Sequence, residues 1–213
     1  MRRLILAMLL LVGTAAHADE AGVARRSLEA FSTGLKSLQA TFSQRVISPE
    51  GRVESEGSGE VWMQHPGLFR WTYGGEYPEL IVADGERVWM YDEMLDQVTV
   101  KAQSAQAEDS PLVLLTDPEA IKRQFTVTEL GDFEDMNILS LVSNNPESEF
   151  ERVLLGFADQ RLVLMALEDA FGLRTEIRFA DLVRNVELDP ALFRFEPPAG
   201  ADVVGEVSGE AGS

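Results

Sequence analysis

The sequence contains no cysteine. It therefore has no disulfide, no thiol nucleophile, no thiolate metal ligand and no acceptor for a lipobox-type anchor. Histidine is almost as scarce: with only His17 and His65, neither a multi-histidine zinc site nor a Cys–His dyad can be assembled. Cations are few, since Lys+Arg number 18 against 36 Asp+Glu, a net charge of -18. Such a surface repels polyphosphate and anionic headgroups, which excludes nucleic acid as a partner and leaves apolar contact as the route to any lipid. Long apolar runs are also missing. The run Leu4 to Val12 holds nine residues, too few to span a bilayer. Carboxylates abound, but they gather where turns are expected, at Glu108-Asp109 and Asp132 to Asp135, and read as solvated loop charge.

The short apolar run does match an export signal. Arg2 and Arg3 precede it and Ala16-His17-Ala18 follows as a small-x-small site, which predicts cleavage after Ala18 and a mature chain from Asp19. Residues 19–204 then form one domain, held by its core alone, with His65 as the remaining imidazole. From Gly205 to Ser213 only Gly, Ser, Ala, Val and Glu occur, which predicts a disordered tail.

Two periodicities organise the domain. Ala24, Leu28, Phe31, Leu35 and Leu38 recur at steps of four and three, predicting one helix over 24–38. From Ala40 the period becomes two, with Ala40, Phe42, Gln44 and Val46 on one face, before a turn at Ser48-Pro49-Glu50-Gly51. Further strands are expected at 52–64, 68–73, 79–83, 86–91 and 97–101, then at 125–130, 136–143, 150–157, 161–168 and 173–182, with turns such as His65-Pro66-Gly67 and Asp84-Gly85 between them. Ser110-Pro111 and Asp117-Pro118 cap two short helices, 111–115 and 118–124, and Asp189-Pro190 caps a further helical turn. Short connections make the neighbours antiparallel. About ten or eleven such strands curl into a barrel or part-barrel with room inside, or divide into a two-sheet sandwich with a filled core.

The run Gly57-Ser58-Gly59-Glu60-Val61-Trp62-Met63-Gln64-His65-Pro66-Gly67-Leu68-Phe69-Arg70-Trp71 resembles the signature of the outer-membrane lipoprotein carrier protein (LolA) family. The resemblance continues through Ala40-Thr41-Phe42-Ser43-Gln44, Ala83-Asp84-Gly85, Val88 to Asp92, Gln97 to Val100, Ser110-Pro111-Leu112 and Phe193 to Gly200. It implies a mainly β (α+β) fold: an open antiparallel β-barrel, lidded by short α-helices, that encloses an apolar cavity for acyl chains. No catalysis and no cofactor are implied. The cargo would be acylated lipoproteins, received from an inner-membrane ABC-type lipoprotein-releasing transporter (LolCDE-like) and passed to an outer-membrane lipoprotein acceptor (LolB-like) by a periplasmic monomer.

Position by position, Phe69 matches the family's cavity aromatic, and Leu112 and Leu115 match its lid positions. Phe42, Trp62, Trp71, Ile177 and either Val88 or Trp89 are further candidates, because strand register decides which of them face inward. Met63, Met90, Met94, Met136 and Met165 would add adaptable surface. His65 departs from the family, which usually carries at this position an arginine that holds the lid shut. A histidine offers fewer donors and no bidentate fork, so either this gate is weaker or Arg70 or another group substitutes at the lid gate. Alternatives from the residues alone are a carrier or sensor of another amphiphile, such as a free lipid or glycolipid, and an envelope hydrolase, which would need two convergent acids.

Overall fold

Alternation of apolar and polar residues carries most of the chain into strands. A computed structural model describes residues 22–103, 118–146 and 148–205. Helix α1 (Val23–Ser32) comes first, followed by β1 (Ser37–Ile47), β2 (Val53–Gln64), β3 (Leu68–Tyr73), β4 (Glu79–Ala83), β5 (Arg87–Asp92) and β6 (Gln97–Ala102). After α2 (Pro118–Gln124) come β7 (Phe125–Phe133), β8 (Met136–Ser143), β9 (Arg152–Ala158), β10 (Arg161–Glu168) and β11 (Arg174–Arg184), then a 3-10 turn at Pro190–Phe193 and β12 (Asp202–Gly205). The predicted export signal at 1–18, the helix at 111–115 with Leu112 and Leu115, and tail residues 206–213 lie outside the described residues.

All twelve strands join one sheet in the order β12-β6-β5-β4-β3-β2-β1-β11-β10-β9-β8-β7. The two-sheet sandwich is thereby set aside. The two ends, β12 and β7, do not pair with each other, so the barrel is open. Every pairing is antiparallel except the parallel contact of β12 with β6. The expected disordered tail is corrected at its first residue, because Gly205 pairs with Val100 and closes β12.

Register divides the side chains cleanly. Across five strands Leu38, Met63, Phe69, Ala83 and Val88 stand in one row, and Ala40, Val61, Trp71, Ile81 and Met90 in the next, all on the concave face. Leu139, Leu155, Met165 and Ile177 continue that face around the other half, and residues of both halves belong to one core cluster. The convex face carries smaller clusters, one of them Val82, Trp89, Val98 and Val100 packed by Phe195 and Ala201 of the C-terminal segment.

Helix α1 lies on the concave side and places Ala24, Leu28 and Phe31 in the main core. It is shorter than its apolar stripe suggests. The helix stops at Ser32 and Gly34 takes a φ of 65°, a left-handed conformation that a glycine adopts freely. Leu35 and Leu38 stay buried because the chain turns directly into β1 along the same core. At its other end α1 begins on Gly22, which has no side chain with which to cap it. The Glu129 carboxylate of β7 fills that role, accepting from the backbone N–H of Ala24 at 3.3 Å and of Arg25 at 2.7 Å. A Cβ on residue 22 would collide with the Glu129 side chain, so the glycine makes room for the distant cap. A carboxylate at a helix N-terminus also meets the positive end of the helix dipole. Glu129→Ala is expected to cost about 0.5–2 kcal/mol of stability and to speed hydrogen exchange in the first turn of α1. Exchange there at the wild-type rate would contradict the capping role.

Candidate functional site: an aromatic floor with a polar mouth

Within β1 and β3 the two-residue period brings Phe42, Trp71 and Tyr73 to the concave face, and Phe179 joins them from β11. Phe42 packs on Trp71 with ring centroids 4.5 Å apart and meets Tyr73 edge-on at 5.1 Å. Trp71 reaches Tyr73 at 6.3 Å and Phe179 at 6.5 Å. Each ring supplies a large apolar surface, and tilted or edge-on pairs add to the burial energy. Ile177 is buried on the same face two residues from Phe179, and Phe69, half-buried, packs against the cluster from the other end of β3.

Phe42, Phe69, Trp71 and Ile177 are thus brought together. Trp62 and Arg70 are not: they are directly paired with one another on the convex face, so Trp62 is corrected as a concave residue, and Arg70 faces away from Phe69 and Trp71 as alternation requires. The reason is parity, since each is one step from residues that face inward, Val61 and Met63 for Trp62, Phe69 and Trp71 for Arg70. The Arg70 guanidinium instead donates to the Leu192 carbonyl at 3.2 Å and ties β3 to the 3-10 turn. Of the pair Val88 and Trp89, Val88 faces inward. Trp89 lies outside, where its indole N–H donates to Asp84 at 2.8 Å and its ring packs on Phe195. Among the methionines, Met63, Met90 and Met165 are concave, Met136 belongs to a convex cluster and Met94 is exposed in the β5–β6 turn.

His65 sits exposed in the β2–β3 turn, at the end of the sheet where β1 begins. Its backbone N–H donates to the Lys36 carbonyl at 2.8 Å. The opposite end of the same strands forms a mouth of about 570 Å³, lined by Gln44, Ser58, Tyr73, Glu76, Tyr77 and Glu79 among others. The concave side therefore grades from an apolar floor to a polar rim.

Sequence reasoning does not single out Tyr73 and Gln44 as rim residues, although the parity of Trp71 and Phe42 assigns both to the concave face. The Tyr73 hydroxyl donates to Gln44 Oε1 at 2.9 Å. Burial, and then the charge of Glu79, push the phenol up to about 12, against the opposing effects of the nearby Trp71 indole and of Gln44. Burial and Asp92 together raise Glu79 above the usual carboxylate range. Because the folded phenol titrates above its ordinary value near 10, its contribution to stability is complete below pH ~10 and is lost as pH rises towards 12. Absorbance titration should place the Tyr73 step last, and Tyr73→Phe should remove it. A late step that survives this substitution would contradict the assignment.

The family model for "Outer membrane lipoprotein carrier protein LolA" matches residues 33–196. The chain belongs to the LolA family. It is 42% identical over 185 residues to an outer-membrane lipoprotein carrier protein of Xanthomonas campestris pv. campestris, covering 86% of this chain and 88% of that relative. It is 41% identical over 179 residues to the protein of the same name from Dechloromonas aromatica, covering 84% and 86%. Among solved structures, an uncharacterized conserved protein from Thermus thermophilus superposes with a TM-score of 0.54 at 18% identity, covering 86% of this chain and 99% of that one. At that identity the likeness concerns the fold alone. The family match includes the aromatic floor, the His65 turn and the mouth.

Proposed function

We propose that this protein is a periplasmic carrier of outer-membrane lipoproteins. It takes acylated lipoproteins released from the inner membrane, shelters their acyl chains against the concave face and delivers them to the outer membrane. The observation that carries this reading is the aromatic floor of Phe42, Trp71 and Phe179, set on one curled sheet that is left open beside a polar mouth. Family membership supports the same reading. Each buried methylene contributes about 0.8 kcal/mol, so partial shelter of several chains holds cargo while leaving it transferable. The work is graded binding, and no acid–base pair is needed for it.

The finer steps extend this reading. Export proceeds through cleavage after Ala18, with Asp19 as the mature N-terminus. An inner-membrane ABC-type transporter supplies the cargo and an outer-membrane acceptor takes it. Leu112 and Leu115 contribute lid contacts over the floor. His65 stands at the gate as a weaker donor than arginine, which sets an easily opened lid. His65→Arg is therefore expected to slow entry of a fluorescent acyl probe into the empty protein several-fold, whereas an unchanged entry rate removes position 65 from the gate. The carrier function itself is tested by incubating the protein with spheroplasts. Lipoprotein should appear in the soluble fraction, and retention of all lipoprotein on the membrane would refute the reading.

A further inference from the structure

Arg184 reaches across the joint between helix α1 and strand β1. Paired with Leu38 near the start of β1, it sends its side chain to the concave face. There its guanidinium donates to the Thr33 carbonyl at 3.0 Å and lies over the Phe31 ring at 5.4 Å. Both contacts are on the helix side of Gly34, the residue with a φ of 65° that separates α1 from the strand. On the strand side the chain is held independently. Lys36 donates its backbone N–H to Asn185 Oδ1 at 2.8 Å and accepts from the His65 N–H at 2.8 Å, and the Ser37 carbonyl accepts from the Asn185 N–H at 2.7 Å. A swing of α1 about Gly34 leaves this second set intact and breaks the Arg184 contacts.

Those contacts are incomplete in a way that favours release. The Arg184 Nε–H is buried and has no acceptor among the described residues, and an unpaired buried donor carries a penalty comparable to the bond that the guanidinium makes to Thr33. Once the helix departs, water reaches Nε and offsets much of the lost bond. Beneath the helix lies surface suited to hydrocarbon. Leu28 and Phe31 of α1 share one cluster with Leu139, Leu155 and Phe157, so in the empty protein the helix itself occupies the β7–β10 half of the concave face.

We infer that Arg184 is a positioning residue for α1, a releasable latch that keeps the helix on that half of the concave face while the protein is empty and yields when acyl chains take the helix's place. The inference rests on the carrier reading and adds to it a second apolar surface and the side chain that controls access to it.

The test follows hydrogen exchange and the entry of a fluorescent polyene fatty acid in the full chain and in two variants. Arg184→Met keeps a long side chain against the Phe31 ring and loses the donors and the charge, whereas Arg184→Lys keeps a charge and a donor. A ten-residue helix is marginal away from its packing surface, so exchange of the α1 amides reports its departure. In the empty wild type these amides should exchange ahead of those of β8 to β10, through a local opening. In Arg184→Met that opening and the entry of the fatty acid should both speed up by the same factor, roughly three- to tenfold, the effect of one charged hydrogen bond less an unpaired donor. Arg184→Lys should recover most of each change. Saturating the wild type with the fatty acid should itself strip protection from α1. The latch is overturned by α1 amides that exchange only together with the sheet, by an unchanged entry rate in Arg184→Met, or by no recovery with lysine. A fatty acid that binds and leaves α1 protected overturns it too, while sparing the carrier reading. One that does not bind the wild type at all removes the carrier reading and the latch together.

Discussion

Phe69→Glu is expected to abolish cargo capture while leaving the empty protein folded. Phe69 shares its row with Met63 and Ala83 and packs against the main core from a half-buried position. In the empty protein a glutamate at that position keeps part of its hydration, so the sheet tolerates it. With acyl chains laid over it, the carboxylate would lose water and gain no partner, at a cost of several kcal/mol. Since 1.4 kcal/mol is a factor of ten, capture should fall by at least about 100-fold. Far-ultraviolet circular dichroism would verify that the fold persists. Capture within a few-fold of wild type would show that cargo does not lie against this face.

The opposite separation is expected for Phe31→Ala. Phe31 is 1% exposed, meets Phe157 edge-on with centroids 6.4 Å apart, and lies beneath the Arg184 guanidinium at 5.4 Å. Truncation leaves a cavity between α1 and the β7–β10 half of the sheet, a change that costs about 3–5 kcal/mol. This is a large share of the roughly 5–15 kcal/mol that stabilises a typical domain. Denaturant unfolding should show the loss as a lower midpoint with an unchanged slope. The folded fraction should still capture cargo, because Phe31 lies away from the Phe42–Trp71 floor. A loss of less than 1 kcal/mol would mean that α1 is not anchored through this ring.

Much of the floor is legible in the amino-acid order itself. Period two in β1 and β3 ties Phe42 to Gln44 and Trp71 to Tyr73, so one inward residue per strand orients the rest. Parity also forbids part of the candidate set. Trp62 and Trp71 cannot share a face when Trp62 is directly paired with Arg70, and that pairing depends on how the His65-Pro66-Gly67 turn joins the strands. The apolar stripe overextends the helix for a different reason. Leu35 and Leu38 continue the stripe of α1 because a strand entering the same core also needs apolar residues, although Gly34 stands between them and the helix as a stop signal. Two features depend on partners far away in sequence. Glu129 reaches the first turn of α1 across 104 positions, and the four residues of β12 are ordered by the edge of β6 rather than by their own pattern. Local propensity carries no trace of either.

Native mass spectrometry of the protein recovered from incubation with spheroplasts tests the central claim most directly. A one-to-one complex with an acylated lipoprotein is expected for the wild type, and its absence is expected for Phe69→Glu. A wild-type protein carrying only free lipid, or emerging empty beside membranes rich in lipoprotein, would contradict the account.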